Sequence, residues 1–313
     1  MPEFLGLDTS NYTTSAAVYD SDTKKVKHKR KLLPVKAGQA GLRQSDALFH
    51  HVKQLSEVSC GLISDLRALK GIGVSAFPRF AEGSYMPCFL AGKTAGELLG
   101  AMSGADLFYT SHQTGHIMAA LYSCGNSELM NHEFLAFHIS GGTTECLYCQ
   151  PDDEKIINAQ LFSSSLDLKA GQAVDRVGLM LGLDFPCGAE LEKLAEKSSS
   201  VFKIKPSMRG KDCSLSGLEN MCKKMNENGA EACDTAKFCL SFIGETLLKM
   251  TDEAIKVLGN IPVIFAGGVM SDIIIRDIIR KKYNAYFAKP EYSCDNAVGT
   301  ALIAAEKYRR QNL

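Results

Sequence analysis

Apolar positions recur along this chain with two periods, one of a helix and one of a strand. HVKQLSEVSCGLISDLRAL at 51–69 carries the helical period, KGIGVSAF at 70–77 reads as a short strand, and CFLAGKTAGELLGAMSG at 88–104 reads as a helix stopped by Gly104. A strand from Asp106 to Tyr109 leads into SHQTGHIMAALYSC. Helical periods return in LKAGQAVDRVGLMLGL (168–183), SLSGLENMCKKMNENG (214–229) and the long run DTAKFCLSFIGETLLKMTDEAIKVLG (234–259). Strand PVIFAGGV, helix SDIIIRDIIRKK, short strand AYFA and helix NAVGTALIAAEKYRR complete the pattern. The alternation predicts an α/β protein of mixed sheets with helices on their faces.

One stretch occurs twice. FLGLDTSNYTT at 4–14 returns, offset by 130 residues and without a gap, as FLAFHISGGTT at 134–144. Each copy runs apolar, breaks at a small polar turn (Thr9, Ser10, Asn11; Ser140, Gly141, Gly142) and resumes as AAVYD or ECLYC, the pattern of a β-hairpin. Hydroxyls and backbone N–H groups in such turns can hold anionic oxygens, so two of them would form a phosphate clamp. Chance similarity between two strand starts is the alternative, because Phe, Leu and Thr are common in strands. The repeat and a length of 313 residues predict two lobes, 1–130 and 131–313, the last helix packing back on the first lobe. No low-complexity linker divides them.

Composition narrows the classes. Apolar residues make up 45% and charged residues 22%, which suits a globular protein and excludes a disordered one. No apolar run approaches the ~20 residues of a membrane span, and no leader fits before a strand that begins by Phe4, so a cytoplasmic protein is expected. The eleven cysteines are scattered through apolar segments and read as reduced core thiols. Cys146 and Cys149 form a lone C-x-x-C inside a strand, where they should face opposite sides. Net charge is zero, so only local patches could attract nucleic acid. KKVKHKRK (24–31) and KIKPSMRGK (203–211) could contact a phosphate backbone, as tRNA would require, or be solvated surface.

The sharpest chemical signal is His112-x-x-x-His116. On a helix this spacing puts both imidazoles on one face, as two ligands of one metal need. Asp295, at a strand-to-helix junction, is the candidate third ligand, or else the N-cap of the last helix. Gln113 follows His112, so the H-E-x-x-H arrangement of a metalloprotease is absent. In FAGGVMSD (265–272), Gly267 and Gly268 form a turn between strand and helix, suited to an anion or nucleotide or to tight packing alone.

DTSNYTTSAAVYD, SHQTGHIMAA, ISGGTTECL, AGQAVDRVGLMLGLDFPCGAELEKLA, CSLSGLENM, AGGVMSDIIIR and KPEYSCDNAVGTALIA come in the order found in the TsaD/Kae family, once called glycoprotease or O-sialoglycoprotein endopeptidase. The chain resembles that family along nearly its whole length. The resemblance implies the actin-like, Hsp70-like ATPase fold of two duplicated lobes. It implies transfer of threonylcarbamoyl from threonylcarbamoyl-AMP to the tRNA adenosine next to the anticodon. Residue by residue, it implies one iron or zinc ion on His112, His116 and Asp295. Ile139, Ser140, Gly141, Gly142 and Thr143 would form the turn against the substrate, and Asp175, Gly188, Glu192, Gly267, Gly268 and Asp272 would line the site for ATP or an AMP-type nucleotide. Asp8, Thr9 and Ser10 would be a further phosphate turn. The partners implied are tRNA and TsaB-like threonylcarbamoylation proteins, with a dimer also allowed and no membrane.

Departures fall mainly in the turns. Where the family reads E-T-S-C-D-E-T, this chain has Asn11, Tyr12 and Thr13 after Ser10, so both acids are gone. Thr143 replaces the His of S-G-G-H-T, Gln172 and Val174 alter A-G-E-A-F-D-K, Cys187 alters P-G-G, and Asp272 replaces the Asn of G-G-V-x-x-N. Glu219 stands where the family often has Lys. These changes describe a diverged paralogue with its metal trio intact. Three functions follow: an active transferase, a non-catalytic nucleotide- or metal-binding paralogue or partner subunit, and an ATP-dependent small-molecule phosphotransferase with Asp8 as base.

Overall fold

A computed structural model describes residues 2–10, 12–34, 42–63 and 65–312, so Asn11 of the first turn lies outside it. In chain order the elements are strands β1 (Glu3–Asp8), β2 (Thr13–Asp20) and β3 (Lys25–Leu32), helix α1 (Gln44–Ser59), β4 (Leu69–Phe77), α2 (Leu90–Ser103), β5 (Asp106–Ser111) and α3 (His112–Ser123). There follow β6 (Phe134–Ile139), β7 (Thr144–Asp152), β8 (Ile156–Ser164), α4 (Ala170–Met180), α5 (Gly188–Ala195), β9 (Met208–Arg209), β10 (Asp212–Cys213) and α6 (Ser216–Glu227). Last come α7 (Ala232–Leu258), β11 (Val263–Ala266), α8 (Ile273–Arg280), β12 (Tyr286–Phe287) and α9 (Val298–Gln311).

Two five-stranded sheets share one topology: β3-β2-β1-β4-β5, and β8-β7-β6-β11-β12. In each, the repeated segment supplies the central strand and its antiparallel neighbour, β1 with β2 and β6 with β7. The strands on the other side, β4 and β5 or β11 and β12, run parallel. The repeat in the sequence is therefore a repeat in the fold.

The chain divides into two compact units. The first comprises residues 1–130, 151–158 and 291–313. Its central strands are apolar on both faces and buried, as covered strands require. β3 is the opposite: KVKHKRKL is mostly exposed on the sheet edge, where lysines discourage further pairing. The first basic cluster is thus an edge strand reached through the Asp20 turn, whose carboxylate accepts from the N–H groups of Asp22 and Thr23. The helix expected at 51–69 runs instead from Gln44 to Ser59. It stops before Gly61, at φ +71°, and Asp65 then caps a separate short turn at Leu66–Ala68. α2 ends as expected at Gly104, which takes the left-handed conformation at φ 72°.

Helix α9 packs on β1, β4 and α3. At Gly299 the approach to α3 is so close that a Cβ would lie 1.8 Å from the Gly115 carbonyl oxygen. This contact brings the start of α9, with Asp295 just before it, beside the histidines of α3.

The second unit comprises residues 131–150 and 159–290. Phe137, Phe265 and Phe287 lie in register across β6, β11 and β12, their rings stacked 4.6 and 5.4 Å apart. α7 buries a long apolar face against the same core. The second basic cluster lies partly in the β9–β10 hairpin, which turns at Gly210 with φ +62°. Among the described residues no helix is long and apolar enough to cross a membrane.

Candidate metal centre and the second glycine turn

His112 opens α3 directly after its N-cap Ser111, whose hydroxyl accepts from the Thr114 N–H. His116 follows one turn later, and both rings face Asp295. The His116 Nε2 lies 2.9 Å from the His112 Nε2 and 3.0 Å from the Asp295 Oδ1, and the third side of the triangle is 3.5 Å. Three donor atoms thus converge on one point. The sides are close to the ~3.3 Å edge of a tetrahedron with metal bonds of 2.0–2.1 Å. Two imidazoles and a carboxylate suit iron, zinc or manganese, so the residues fit the implied ion. The N-cap position of α9 is held by Ala297, and the Asn296 Oδ1 accepts from the Val298 N–H.

The first turn supports this centre from behind. The Asp8 Oδ2 lies 2.8 Å from the His112 Nδ1 and accepts from the Ser75 hydroxyl at 2.6 Å, while its Oδ1 accepts from the Ser10 N–H. This arrangement favours a proton on the His112 Nδ1 and leaves Nε2 aimed at Asp295. Burial opposes protonation of His112, but the Asp8 charge and the hydrogen bonds to Asp295 and Asp8 overcome it and raise the imidazole to about 10. Burial likewise pushes the Asp8 and Asp295 carboxyls up, yet their histidine partners leave both below the usual range. The Thr9 hydroxyl donates to the Cys88 carbonyl and accepts from the Gly92 N–H, and the Ser10 hydroxyl lies 2.8 Å from the His112 Nδ1.

In the second unit the β6–β7 turn is held at its base. The Ser140 N–H donates to the Thr143 carbonyl, the Thr143 N–H donates to the Ser140 hydroxyl, and the Gly171 N–H at the start of α4 donates to the Ser140 carbonyl. Gly141 and Gly142 are exposed, and no neighbouring atom lies within 4 Å of a Cβ placed on either. Gly267 packs against buried Ile139 with φ +102°, where a Cβ would lie 2.1 Å from the Ile139 oxygen. Gly268 beside it is exposed. Asp272 caps α8 by accepting from the Ile275 N–H, and the Glu192 carboxylate accepts from the next N–H, that of Ile273. The other Asp272 oxygen, Oδ2, is buried without a partner. Burial first, then the nearby Glu192 charge, raises this carboxyl to about 7. Asp175 accepts from the N–H of Cys187, one residue before Gly188.

The chain matches the family described as tRNA N6-adenosine threonylcarbamoyltransferase, TsaD, over residues 47–302. It belongs to that family. The protein of that name from Kosmotoga olearia is 32% identical over 210 residues, which cover 64% of this chain and 62% of that protein. The one from Francisella philomiragia is 27% identical over 330 residues, covering 97% of this chain and 94% of that one. Among solved structures, component A of the Acidaminococcus fermentans (R)-2-hydroxyglutaryl-CoA dehydratase superposes with a TM-score of 0.58 at 16% identity, covering 99% of this chain and 100% of that one. The twin-sheet architecture is the actin-like ATPase fold.

Several residues of this TsaD member escaped the sequence reading. Ser75 and the contact of Asp8 with His112 were not foreseen, because those partners lie 67 and 104 residues away along the chain. Asp167 anchors the approach to α4 by accepting from the N–H groups of Leu168 and Leu215 and from the Ser216 hydroxyl; these bonds outweigh burial and hold it at about 2. An acidic residue just before a helix-opening Lys-Ala-Gly was the available signal. Glu219, at the family's lysine position, pairs with Arg176 at 2.9 Å. Cys146 and Cys149 are both buried, and burial raises both thiols, so neither is poised as a thiolate.

Proposed function

We propose that this chain transfers threonylcarbamoyl from threonylcarbamoyl-AMP to the exocyclic amine of the tRNA adenosine next to the anticodon. The observation that carries this reading is the convergence of the His112, His116 and Asp295 donor atoms in a member of the TsaD family. These three residues would hold one divalent ion, iron or zinc. When bound, such an ion supplies Lewis-acid polarisation of a carbonyl or phosphoryl oxygen.

The chain's own residues do the rest. Asp8 and Ser75 orient His112. The exposed Gly141–Gly142 turn and the exposed Gly268 let anionic oxygens of the adenylate approach backbone N–H groups without side-chain obstruction. Asp272 at about 7 is largely uncharged below neutral pH. A protonated carboxyl there does not repel an anion, which makes it a workable replacement for the family's asparagine. Asp175, Gly188 and Glu192 would complete the nucleotide side. The amine attacks the carbamoyl carbon as the bond to the departing AMP breaks, so no covalent enzyme intermediate is needed. The setting is cytosolic, with TsaB-like partner proteins and a dimer as the assemblies to examine.

A second reading, a paralogue that binds nucleotide and metal without transfer, is favoured by exposed Tyr12 and buried Thr13 at the family's two acidic positions. The phosphotransferase reading asks Asp8 to act as a base, and both Asp8 oxygens are already engaged. The deciding experiment supplies radiolabelled threonylcarbamoyl-AMP, unmodified tRNA and partner proteins, beside an established TsaD enzyme. Metal-dependent label in tRNA is the expected result. No label beside a working control would overturn the transferase reading in favour of the non-catalytic one.

A further inference from the structure

Between β4 and α2 the chain builds a loop unlike anything the repeat predicts. Its start is tied to the metal-side helix, because the Pro78 carbonyl accepts from the Gln113 N–H beside His112. At its far end the Phe89 ring lies 6.4 Å from the His112 ring. Between these anchors the loop is a chain of tight turns. The Ala81 N–H donates to the Arg79 carbonyl, the Ser84 N–H to the Ala81 carbonyl and the Arg79 N–H to the Ser84 hydroxyl, with Gly83 at φ +70°. The loop is therefore hydrogen-bonded to itself as well as to α3.

Beside the loop lies an open surface pocket of about 440 Å³ lined by Phe77, Arg79, Phe80, Tyr85 and Lys155, with Glu82 on the wall. Its volume lies in the range of small-ligand sites. The aromatic groups are presented to solvent: Phe80 is 36% and Tyr85 62% exposed. Phe77 props the Phe80 ring edge-to-face at 5.0 Å, and the Lys155 ammonium sits 5.4 Å from the Phe80 ring centre. Neither Arg79 nor Lys155 forms a salt bridge among the described residues. Exposed rings interleaved with cations that carry no salt bridge among the described residues are what an unpaired nucleotide requires: a face for the base and positive charge for its phosphate. Glu82 adds an acceptor for an exocyclic amine.

We propose that this slot binds an unpaired nucleotide of the RNA acceptor, its base stacked on Phe80 and Tyr85 and its phosphate against Arg79 and Lys155. The proposal rests on the reading of this chain as an RNA-modifying transferase and adds the place where the single strand is held. A stacked base needs an unpaired strand, so a blunt RNA duplex should not occupy the slot.

The test is fluorescence anisotropy with the full chain and a labelled RNA stem-loop, with an unlabelled blunt duplex as competitor. Phe80→Ala with Tyr85→Ala should weaken binding about 10-fold or more. Arg79→Ala and Lys155→Ala should each reduce the slope of log affinity against log salt by about 1. The duplex should compete poorly. All variants should keep the wild-type metal content and thermal unfolding profile, which separates loss of the slot from damage to the neighbouring histidines. If the wild type binds the stem-loop and the aromatic variant binds it equally, or if the duplex competes equally, the slot is overturned while the RNA reading stands. If the wild type binds no RNA, the slot is overturned, and the transfer assay with partner proteins decides the transferase reading separately.

Discussion

In the first copy of the duplicated hairpin, Thr9 and Ser10 are fully buried, and Asp8 has both carboxylate oxygens engaged by Ser10, Ser75 and His112. In the second copy Ile139 and Ser140 take those places, and Gly141 and Gly142, which stand at the positions of Asn11 and Tyr12, are exposed, with open space where side chains would be. The same strand-turn-strand frame has therefore been put to two uses. One turn faces inward and braces a histidine. The other faces outward and offers backbone. The difference lies around the shared serine position, Ser10 and Ser140: the Thr9 and Ser10 hydroxyls of the first turn are drawn toward α2 and α3, whereas the glycine pair after Ser140 leaves the second turn bare.

The comparison can be broken in several ways, the most severe being removal of the centre that the first turn braces. His112→Ala with His116→Ala should reduce metal in the purified protein to background while circular dichroism stays unchanged. Normal metal content in that variant would remove the site.

A smaller effect is expected on the second turn's side, at Asp272. Its carboxyl stands at about 7 in the fold against 3.8 for its ordinary value, so between about pH 4 and 7 the native state holds more protons than the unfolded chain. Stability contributed by this group is present at low pH and is lost as pH rises through that window, by at most about 4 kcal/mol. Asp272→Asn should be stabilised relative to wild type at pH 8 and little changed at pH 4, as read by urea unfolding. An equal difference at both pH values would contradict the burial argument.

Glycines of the second unit sharpen the same contrast. Gly267→Ala puts a methyl group against the Ile139 carbonyl in an unfavourable conformation and should cost about 1–3 kcal/mol or more. Gly142→Ala meets nothing and should change stability by less than about 0.5 kcal/mol while weakening AMP binding. Comparable losses of stability at both positions would show that the open turn is not open.

The subtlest test keeps every atom count near Asp8. Asp8→Asn keeps the side-chain shape and one acceptor oxygen but removes the charge beside His112, so metal affinity should fall about 10- to 100-fold in competition with a chelator. An unchanged affinity would reduce Asp8 to a packing role.

Much of this was legible in the sequence wherever the signal was local. The helical periods placed α2, α7 and α9, Gly104 gave a stop, and the gapless repeat revealed the twin sheets. The i,i+4 histidines could be read because both lie on one helix. What stayed hidden depended on distant partners or on context. β3 resembled solvated surface because an edge strand of lysines has little apolar alternation to show. The bracing of His112 by Asp8 and Ser75 needs two strands and a helix to meet, and no spacing rule encodes that.

The most direct measurement is a crystal structure of the chain with a divalent transition metal and AMP, with anomalous scattering used to locate the metal. The account predicts one anomalous peak bounded by the His112 Nε2, the His116 Nε2 and the Asp295 Oδ1, and phosphate density at the Gly141–Gly142 turn. Metal bound elsewhere, or phosphate held by Thr9 and Ser10 instead, would contradict the division of roles between the two turns.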